Sequence, residues 1–450
     1  MELNSKTLIE NSSINLFSKF AIPSILGMIM GSAAVFVDGF FVAHFISSEA
    51  FTAINIVWPI TALSFGIYVM LTIGAAALAG KCIGENNIRR ANLIFTQTLI
   101  VVFIIASIPL IIAYIFRENL LPIFGAHGRI YKLSLDYIEG VLAATFFWGM
   151  AYVLSQFVRL NGSPKFASSM FIIASIVNMI LDPIFIIVFH FGIAGAAWAT
   201  AISQIIAFIM GALYFFKPNC RLKVIRIYGG WVYILKAAFN GFSEFLSNIS
   251  SGLIPWLFNI TAYNISGNNG ILVYSAANYA IMFFIMLAYS VGEALEPLVS
   301  VSYGAKNTNG MKDFLKISIF LISFVSVLAS IILLIDPSVL VNMLLKDVDN
   351  QTFDDALFFV RASIPTFIGA GINIIMSAYY TSIQKSGASA IIAALRSMIL
   401  PVLLVMTLPN IFGFIGLVLV LPISEIATLI VSFALYKNRS AEVLINDYNY

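Results

Sequence analysis

Four polar side chains occur inside long apolar stretches of the chain, where an ionisable group is costly and needs a partner or a task. They are Asp38 in the first stretch, Asn178 and Asp182 in the fifth, and Thr200 in the sixth. Asn178 and Asp182 are four residues apart, so a helix places them on one face. Two carboxylates with an amide and a hydroxyl could hold and release a proton, or coordinate a hard cation such as Na⁺. A buried network that only joins helices is the alternative.

These residues are predicted to lie at one depth. With a rise of about 1.5 Å per residue, Asp38, Asp182 and Thr200 fall about 10–12 Å from the same end of their predicted helices. Tyr137, six residues into the fourth stretch, lies at a similar level, although tyrosines are also common at membrane interfaces. We therefore predict a proton or Na⁺ site formed by Asp38, Asn178, Asp182 and Thr200, with Tyr137 beside it.

A second set of acids occurs in the other half of the chain, at Glu244, Glu293, Glu296 and Glu425. No basic residue within the same apolar stretches is an obvious partner for them. Carboxylates that line a cavity would attract a cationic ligand, whereas Glu296 could equally face water at the mouth of such a cavity. We predict a ligand cavity in this half of the molecule.

The composition indicates that the polar residues sit in membrane-spanning helices. The chain has 450 residues, of which 60% are hydrophobic and 10% charged, and its mean hydropathy is +0.98. Soluble proteins carry about 25% charged residues, so a soluble enzyme, a disordered chain and a nucleic-acid binder are excluded. Two distant cysteines and three histidines without metal-ligand spacing argue against a disulfide framework and a zinc site. We expect no cofactor and no enzymatic activity.

Twelve stretches are long and apolar enough to cross a bilayer. They cover residues 16–45, 50–80, 92–116, 131–158, 164–190, 193–217, 231–261, 270–303, 311–335, 354–384, 387–409 and 412–437. With both termini in the cytoplasm, 19 of the 24 Lys and Arg residues, Arg396 among them, fall on the inside and 5 on the outside. Because basic residues favour the cytoplasmic side, this bias predicts a multi-pass protein of the plasma membrane with both ends inside.

The second half of the sequence repeats the first. Phe191–Gly195 matches Phe412–Gly416 at an offset of 221 residues, and Gly84–Asn87 corresponds to Gly304–Asn307 at an offset of 220. Six helices per repeat give both halves the same orientation, with a pseudo-two-fold axis along the membrane normal. The predicted fold is therefore all-α, with twelve helices in two lobes. The lobes are residues 1–216 and 231–450, and a basic cytoplasmic linker covers 217–230.

The loop at Gly84–Arg90 lacks the GxxxxGK[ST] pattern of a phosphate-binding loop, and no other nucleotide motif occurs. We therefore expect an ion gradient, rather than ATP, to supply energy. Two lobes around a central cavity suit transport by alternating access.

Several stretches resemble the multidrug and toxic compound extrusion (MATE) transporters along essentially the whole chain. They are Val35–Val42, Asn178–Ile184, Gly195–Ser203 and Pro297–Ala305. The resemblance implies drug export coupled to inward movement of H⁺ or Na⁺. Asp38, Asn178, Asp182, Thr200 and Tyr137 fall where this family has its cation or proton site.

In the second lobe, the resemblance matches Glu244 and Glu293 to acids that many or several members carry. The tenth stretch departs from the pattern: it lacks the acid that some members use for cation binding and has Asn373, Tyr379 and Tyr380 instead. Glu244, Glu293 and Tyr379 are thus predicted to line the second-lobe cavity, and the coupling site is predicted in the first lobe.

The sequence therefore predicts an antiporter that exports amphipathic or cationic drugs in exchange for H⁺ or Na⁺, from a bacterial inner membrane and as a monomer. The alternative is a flippase for lipid-linked oligosaccharides, which would suit a basic cavity, whereas the cavity residues here are mostly acidic. A membrane sensor or scaffold is disfavoured, because it needs neither paired carboxylates nor a repeat.

Overall fold

A computed structural model describes residue 3 and residues 5–218, 220–345 and 348–438. These residues are almost entirely helical and contain no strand. Lys346 and Arg439 of the charge count, and the end of the predicted second lobe, lie outside them. The helices are α1 (Ser5–Glu10), α2 (Ser13–Phe45), α3 (Ser48–Gly84), α4 (Ile88–Ile123), α5 (Gly128–Leu160), α6 (Pro164–Pro183), α7 (Gly192–Phe215), α8 (Val232–Asn240), α9 (Phe242–Gly304), α10 (Thr308–Ile335), α11 (Ser338–Leu344), α12 (Asn350–Ala362), α13 (Ile364–Ser382), α14 (Ser386–Ala394) and α15 (Leu400–Asn438), with π-helical segments at Ile184–Val188 and Leu395–Ile399.

The described residues form ten helical stretches that are long and apolar enough to span a bilayer, and two of them turn back on themselves. In α9 the backbone reverses at Gly267, which has a φ of +61°. Phe258 and Tyr274 consequently stack with ring centroids 4.9 Å apart, although a straight helix would separate them by about 24 Å. Gly413 adopts the same conformation within α15, with a φ of +58°. Dividing both helices at these glycines gives twelve spans among the described residues, which is the predicted number.

Apolar side chains cover the outward faces of the spanning helices. In α4 the side chain of Ile115 is 64% exposed, and in α10 that of Phe320 is 73% exposed. Exposed side chains of this kind recur along both helices. Such continuous apolar surface is typical of helices that face lipid.

The internal repeat extends to the backbone of equivalent turns. Asn86 and Lys306, which are 220 positions apart, both adopt the left-handed conformation, with φ values of 59° and 56°. The next amide, that of Asn87 or Asn307, donates to the carbonyl five residues earlier at 2.8 and 2.9 Å. This Schellman arrangement ends α3 and α9 in the same way. Asn87 and Asn307 then cap the N-termini of α4 and α10.

The chain forms two compact units. The first contains the described part of Met1–Asn11 and Ser18–Gly241, and the second contains Ser12–Phe17 and the described part of Phe242–Tyr450. In the first unit, α5 packs against α3, α4 and α7. Small residues allow the close approach: a Cβ on Gly140 would lie 2.6 Å from that of Ala197 in α7, and a Cβ on Gly149 would lie 2.6 Å from the ring of Tyr68. Small residues at helix crossings are typical of membrane proteins.

The predicted seventh span, residues 231–261, is interrupted in the structure. α8 ends at Asn240 and α9 begins at Phe242. Between them Gly241 packs directly on the backbone of α3, where an added Cβ would overlap the carbonyl of Met70. A Cβ on Gly74 would in turn overlap the carbonyl of Ala237. This double contact fixes α8 against α3 within the first unit.

A buried ion pair in the second unit joins Arg396 to Glu425. Arg396 lies in the π-helical segment and is 7% exposed. Its Nε and Nη2 atoms both lie 3.2 Å from Oε1 of Glu425. Glu425 therefore has a basic partner, contrary to the sequence-based expectation.

Amides and hydroxyls complete this polar centre. Asn373 in α13 donates from Nδ2 to Oε2 of Glu425 at 2.9 Å and to its backbone carbonyl at 3.0 Å. Ser432 donates to Oδ1 of Asn373 at 2.9 Å. Both carboxylate oxygens of Glu425 are thus hydrogen bonded. A buried pair that is satisfied in this way fixes the register of α13 against α15.

The Gly140 contact predicts that Gly140→Ala lowers stability by about 1–3 kcal/mol, because an added methyl group overpacks the α5–α7 crossing. The apparent melting temperature of the detergent-purified protein should fall. Gly31→Ala is the matched control, since nothing lies within 4 Å of a Cβ at that helical position. Equal melting temperatures for the two variants would contradict the packing argument.

The ion pair predicts that Arg396→Met destabilises the protein by about 3–5 kcal/mol, because Glu425 is left as an unpaired buried charge. The double variant Arg396→Met, Glu425→Met should recover part of this loss, since neither member of the pair is then charged, although the buried Glu244 still loses the nearby Arg396 charge. Melting temperatures of the single and double variants test this coupling. A double variant that is no more stable than Arg396→Met would show that the pair is not coupled.

Candidate functional site

The polar residues predicted in the fifth and sixth spans meet in the first unit. Nδ2 of Asn178 donates to Oδ1 of Asp182 and to Oγ1 of Thr200, both at 3.3 Å. Thr200 donates to the carbonyl of Ala196 one turn earlier in α7, at 3.1 Å. One amide group therefore joins α6 to α7 and orients the carboxylate. Asp182 is fully buried and Asn178 is 6% exposed.

Asp38 and Tyr137 lie at the same site. The charge of Asp38 acts on both Asp182 and Tyr137, and the charge of Asp182 also acts on Tyr137. Asp38 is supplied by α2 and Tyr137 by α5, where the tyrosine is 8% exposed. Asn178, Asp182 and Thr200 are thus joined by hydrogen bonds, and Asp38 and Tyr137 lie within electrostatic reach of Asp182.

The backbone changes pitch immediately after Asp182. Pro183 ends α6, and Ile184–Val188 is a π-helix in which the amide of Phe189 donates to the carbonyl of Ile184 at 2.9 Å. Proline has no amide hydrogen and so removes one helical hydrogen bond. Short π-helical segments often occur at functional sites. The sequence shows Pro183, but the change in hydrogen bonding after it was not predicted.

Two carboxylate oxygens at this site, Oδ1 of Asp38 and Oδ2 of Asp182, are buried and have no hydrogen-bond partner in the part of the chain that the structure describes. Within the described residues, no basic side chain acts on either carboxylate. A buried anionic oxygen without a partner is costly. The two oxygens, with the Asn178 and Thr200 side chains beside them, fit a proton or a small hard cation.

The acids predicted in the second half are partly brought together. Glu244, in the first turn of α9, is 7% exposed and lies within electrostatic reach of Glu293 and Arg396. Tyr379 is fully buried in α13, and its interaction partners are Tyr380 and Tyr436 rather than these acids. The second unit therefore contains an acidic group around Arg396, with Tyr379 in a separate aromatic cluster.

Arg396 belongs to this second group, and its pairing with Glu425 was not predicted from the sequence. The guanidinium also hydrogen bonds Tyr289 in α9. One signal could have revealed it, because Arg396 falls well inside the predicted span 387–409 and not at its edge. A basic residue at that depth needs an acidic partner, and Glu425 is the acid in the adjacent span.

Solved structures resemble this chain over almost its full length. A MATE protein in a bent conformation has a TM-score of 0.89 and 20% identity, and covers 99% of both chains. A transporter of the MOP superfamily from Pyrococcus furiosus has a TM-score of 0.87 and 21% identity, and covers 98% of this chain and 99% of the other. At these identities the likeness supports the fold.

A sequence relative and a family profile indicate the family to which the chain belongs. The multidrug export protein MepA of Staphylococcus aureus (strain MSSA476) is 24% identical over 410 residues, which are 90% of this chain and 89% of that protein. The profile of the MatE family matches residues 23–184 and 243–407 separately. These two segments begin 220 positions apart, in agreement with the internal repeat, and they cover most of both halves. The chain therefore belongs to the MatE family of membrane proteins.

Proposed function

We propose that this protein is a secondary antiporter that exports amphipathic or cationic drugs in exchange for H⁺ or Na⁺ by alternating access. Family membership and the resemblance to multidrug export proteins support drug efflux. The protein acts as a transporter and not as an enzyme. We further propose that it functions as a monomer in a bacterial cell membrane, with both termini in the cytoplasm.

One observation carries the choice of the coupling site: Asp38 and Asp182 each have a buried oxygen without a partner. Two negative charges in a site of low polarity repel each other, and a bound H⁺ or Na⁺ would relieve this repulsion. Cation binding would draw α2 towards α6, whereas its release would separate them. The π-helical turn after Asp182 offers a place where α6 can adjust.

Asn178 and Thr200 have distinct roles in this proposal. For Na⁺, the Asn178 carbonyl and the Thr200 hydroxyl would add neutral oxygen ligands to the two carboxylates. For H⁺, the Asn178 amide would hold one oxygen of Asp182, so that the free oxygen takes the proton. The same residues serve either ion.

The rival function, a flippase for lipid-linked oligosaccharides, calls for a basic cavity that holds a pyrophosphate. Arg396 is the buried basic residue of the acidic group in the second unit, and it is paired with Glu425. Glu244 and Glu293 add further negative charge around it. The charge balance of the described residues there favours a cationic substrate.

Neutralising the coupling acids should abolish exchange. We expect Asp38→Asn and Asp182→Asn each to lower drug transport by about tenfold or more, equivalent to about 1.4 kcal/mol or more of lost cation interaction. Tyr137→Phe should have a smaller effect. The measurement is uptake of a fluorescent organic cation by inside-out proteoliposomes under an imposed ion gradient.

Asp136→Asn is the matched control for these variants, because Asp136 is an exposed neighbour of Tyr137 on α5. It should transport at the wild-type rate. Full transport by Asp38→Asn and Asp182→Asn would place the coupling site elsewhere.

The coupling ion is tested in the same proteoliposomes by imposing a pH gradient and a Na⁺ gradient separately. We expect one gradient to drive transport and Asp182→Asn to abolish that response. Absence of transport under both gradients, with folded protein, would reject antiport and make a labelled lipid-linked oligosaccharide the next substrate to assay.

A further inference from the structure

A cavity of about 490 Å³ lies in the first unit, away from the coupling site. The start of α4, the segment that follows α7, and α8 form its walls. Arg89, Arg90 and Lys236 line it together with Tyr228. We call it the basic cavity. On the predicted topology it lies at the cytoplasmic end of the spans.

The charges in the basic cavity are unbalanced. Three cationic side chains line it, and no acid does. Arg90 and Lys236 both repel the positive charge of Lys81. Lys81 is paired with Glu85, with Nζ 3.8 Å from Oε1. Three like charges around one cavity repel each other, and an anion placed between them would be stabilised.

The N-terminus of α4 adds to the positive potential at the basic cavity. Asn87 caps this helix by accepting the amide of Arg90 at 3.1 Å, and the first turn contains no acid. A helix N-terminus carries partial positive charge and favours anions. Arg89 and Arg90 are exposed side chains that add to the positive potential at this end of the helix.

The walls of the basic cavity are held in place by side chains of α4. Asn92 accepts the amide of Lys223 at 3.0 Å, and the buried Gln97 donates to the carbonyl of Gly230 at 3.1 Å. These contacts tie segment 223–230 to α4 at both ends. The Arg89 guanidinium stacks on the ring of Tyr228 at 4.6 Å. The cavity is thus organised before any ligand binds.

An apolar surface continues from the cavity along α8. Val232, Leu235 and Phe239 are 56%, 63% and 73% exposed, and their spacing puts them on one face of the helix. The opposite face, with Ala237, is buried against α3. Basic groups next to an apolar helix face match a ligand that has both an anionic head and hydrocarbon chains.

We propose that the basic cavity binds the phosphate of an anionic phospholipid, such as phosphatidylglycerol, with the acyl chains along the exposed face of α8. The phosphate oxygens accept hydrogen bonds from Arg89, Arg90 and Lys236. Free phosphate would use the same cations, but it would leave the apolar face uncovered. This site is independent of the coupling acids and of the transported substrate.

The test uses the full-length protein purified in a neutral detergent and titrated with phosphatidylglycerol or phosphatidylcholine. Native mass spectrometry counts bound lipid, and thermal unfolding reports stabilisation. Phosphatidylglycerol should bind at least about tenfold more tightly than phosphatidylcholine. The variant Arg89→Gln, Arg90→Gln, Lys236→Gln should lose this preference. Equal binding of the two lipids by the wild-type protein would overturn the proposal.

Further measurements distinguish a specific site from a general effect of charge, from misfolding of the triple variant and from binding of free phosphate. Lys19→Gln, Lys132→Gln, Lys165→Gln removes the same charge from exposed sites elsewhere and should retain the preference; its loss there would reject a specific site. The single variant Lys236→Gln keeps the test valid if the triple variant does not fold. It should weaken the preference for phosphatidylglycerol, and an unchanged preference would count against the site. Inorganic phosphate that stabilises the protein as well as phosphatidylglycerol does would identify a phosphate site instead.

Discussion

A carboxylate in apolar surroundings persists only if something compensates its charge, and the two units of this protein meet that constraint in opposite ways. In the second unit, Glu425 is fully satisfied by Arg396 and Asn373. In the first unit, Asp38 and Asp182 each keep a buried oxygen without a hydrogen-bond partner among the described residues. The arrangement in the second unit is complete within the chain. In the first unit, the proposed binding of H⁺ or Na⁺ would supply the missing partner, so the two units are expected to differ in role.

The first unit also shows how such a site is positioned. Four helices must come close, and α5 and α7 do so because glycine and alanine occupy their crossing. The carboxylate of Asp182 is then oriented by one amide, that of Asn178, which also reaches Thr200. Pro183 alters the helix directly after the acid. Close packing, one bridging amide and a local change of pitch together place the acids where their charges interact.

Features that depend on residues close together in the sequence could be predicted from it. Span length and apolarity are local properties, so the number of spans could be predicted from them. Spacing and depth placed Asp38, Asn178 and Asp182 at one level, and the family resemblance implied that they share a site. The turn at Gly413 was also foreseeable, since it matches Gly192 at an offset of 221 and both adopt φ values near 60°.

Contacts between residues far apart in the sequence could not be predicted in this way. Arg396 and Glu425 are 29 positions apart, and a spacing rule for one helix says nothing about contacts between two. The break at Gly241 likewise depends on the backbone of α3, so the apolar run 231–261 gave no sign of it. These features arise from packing between helices.

The pairing of Arg396 with Glu425 also limits how this sequence can evolve. Loss of either member alone strands the other as a buried charge, so each single step passes through a poorly folded intermediate. Simultaneous replacement by apolar residues avoids that barrier. The two positions are therefore expected to change together among related chains. Asp38 and Asp182 are under a different constraint, because neutralising either acid leaves no buried cation unpaired.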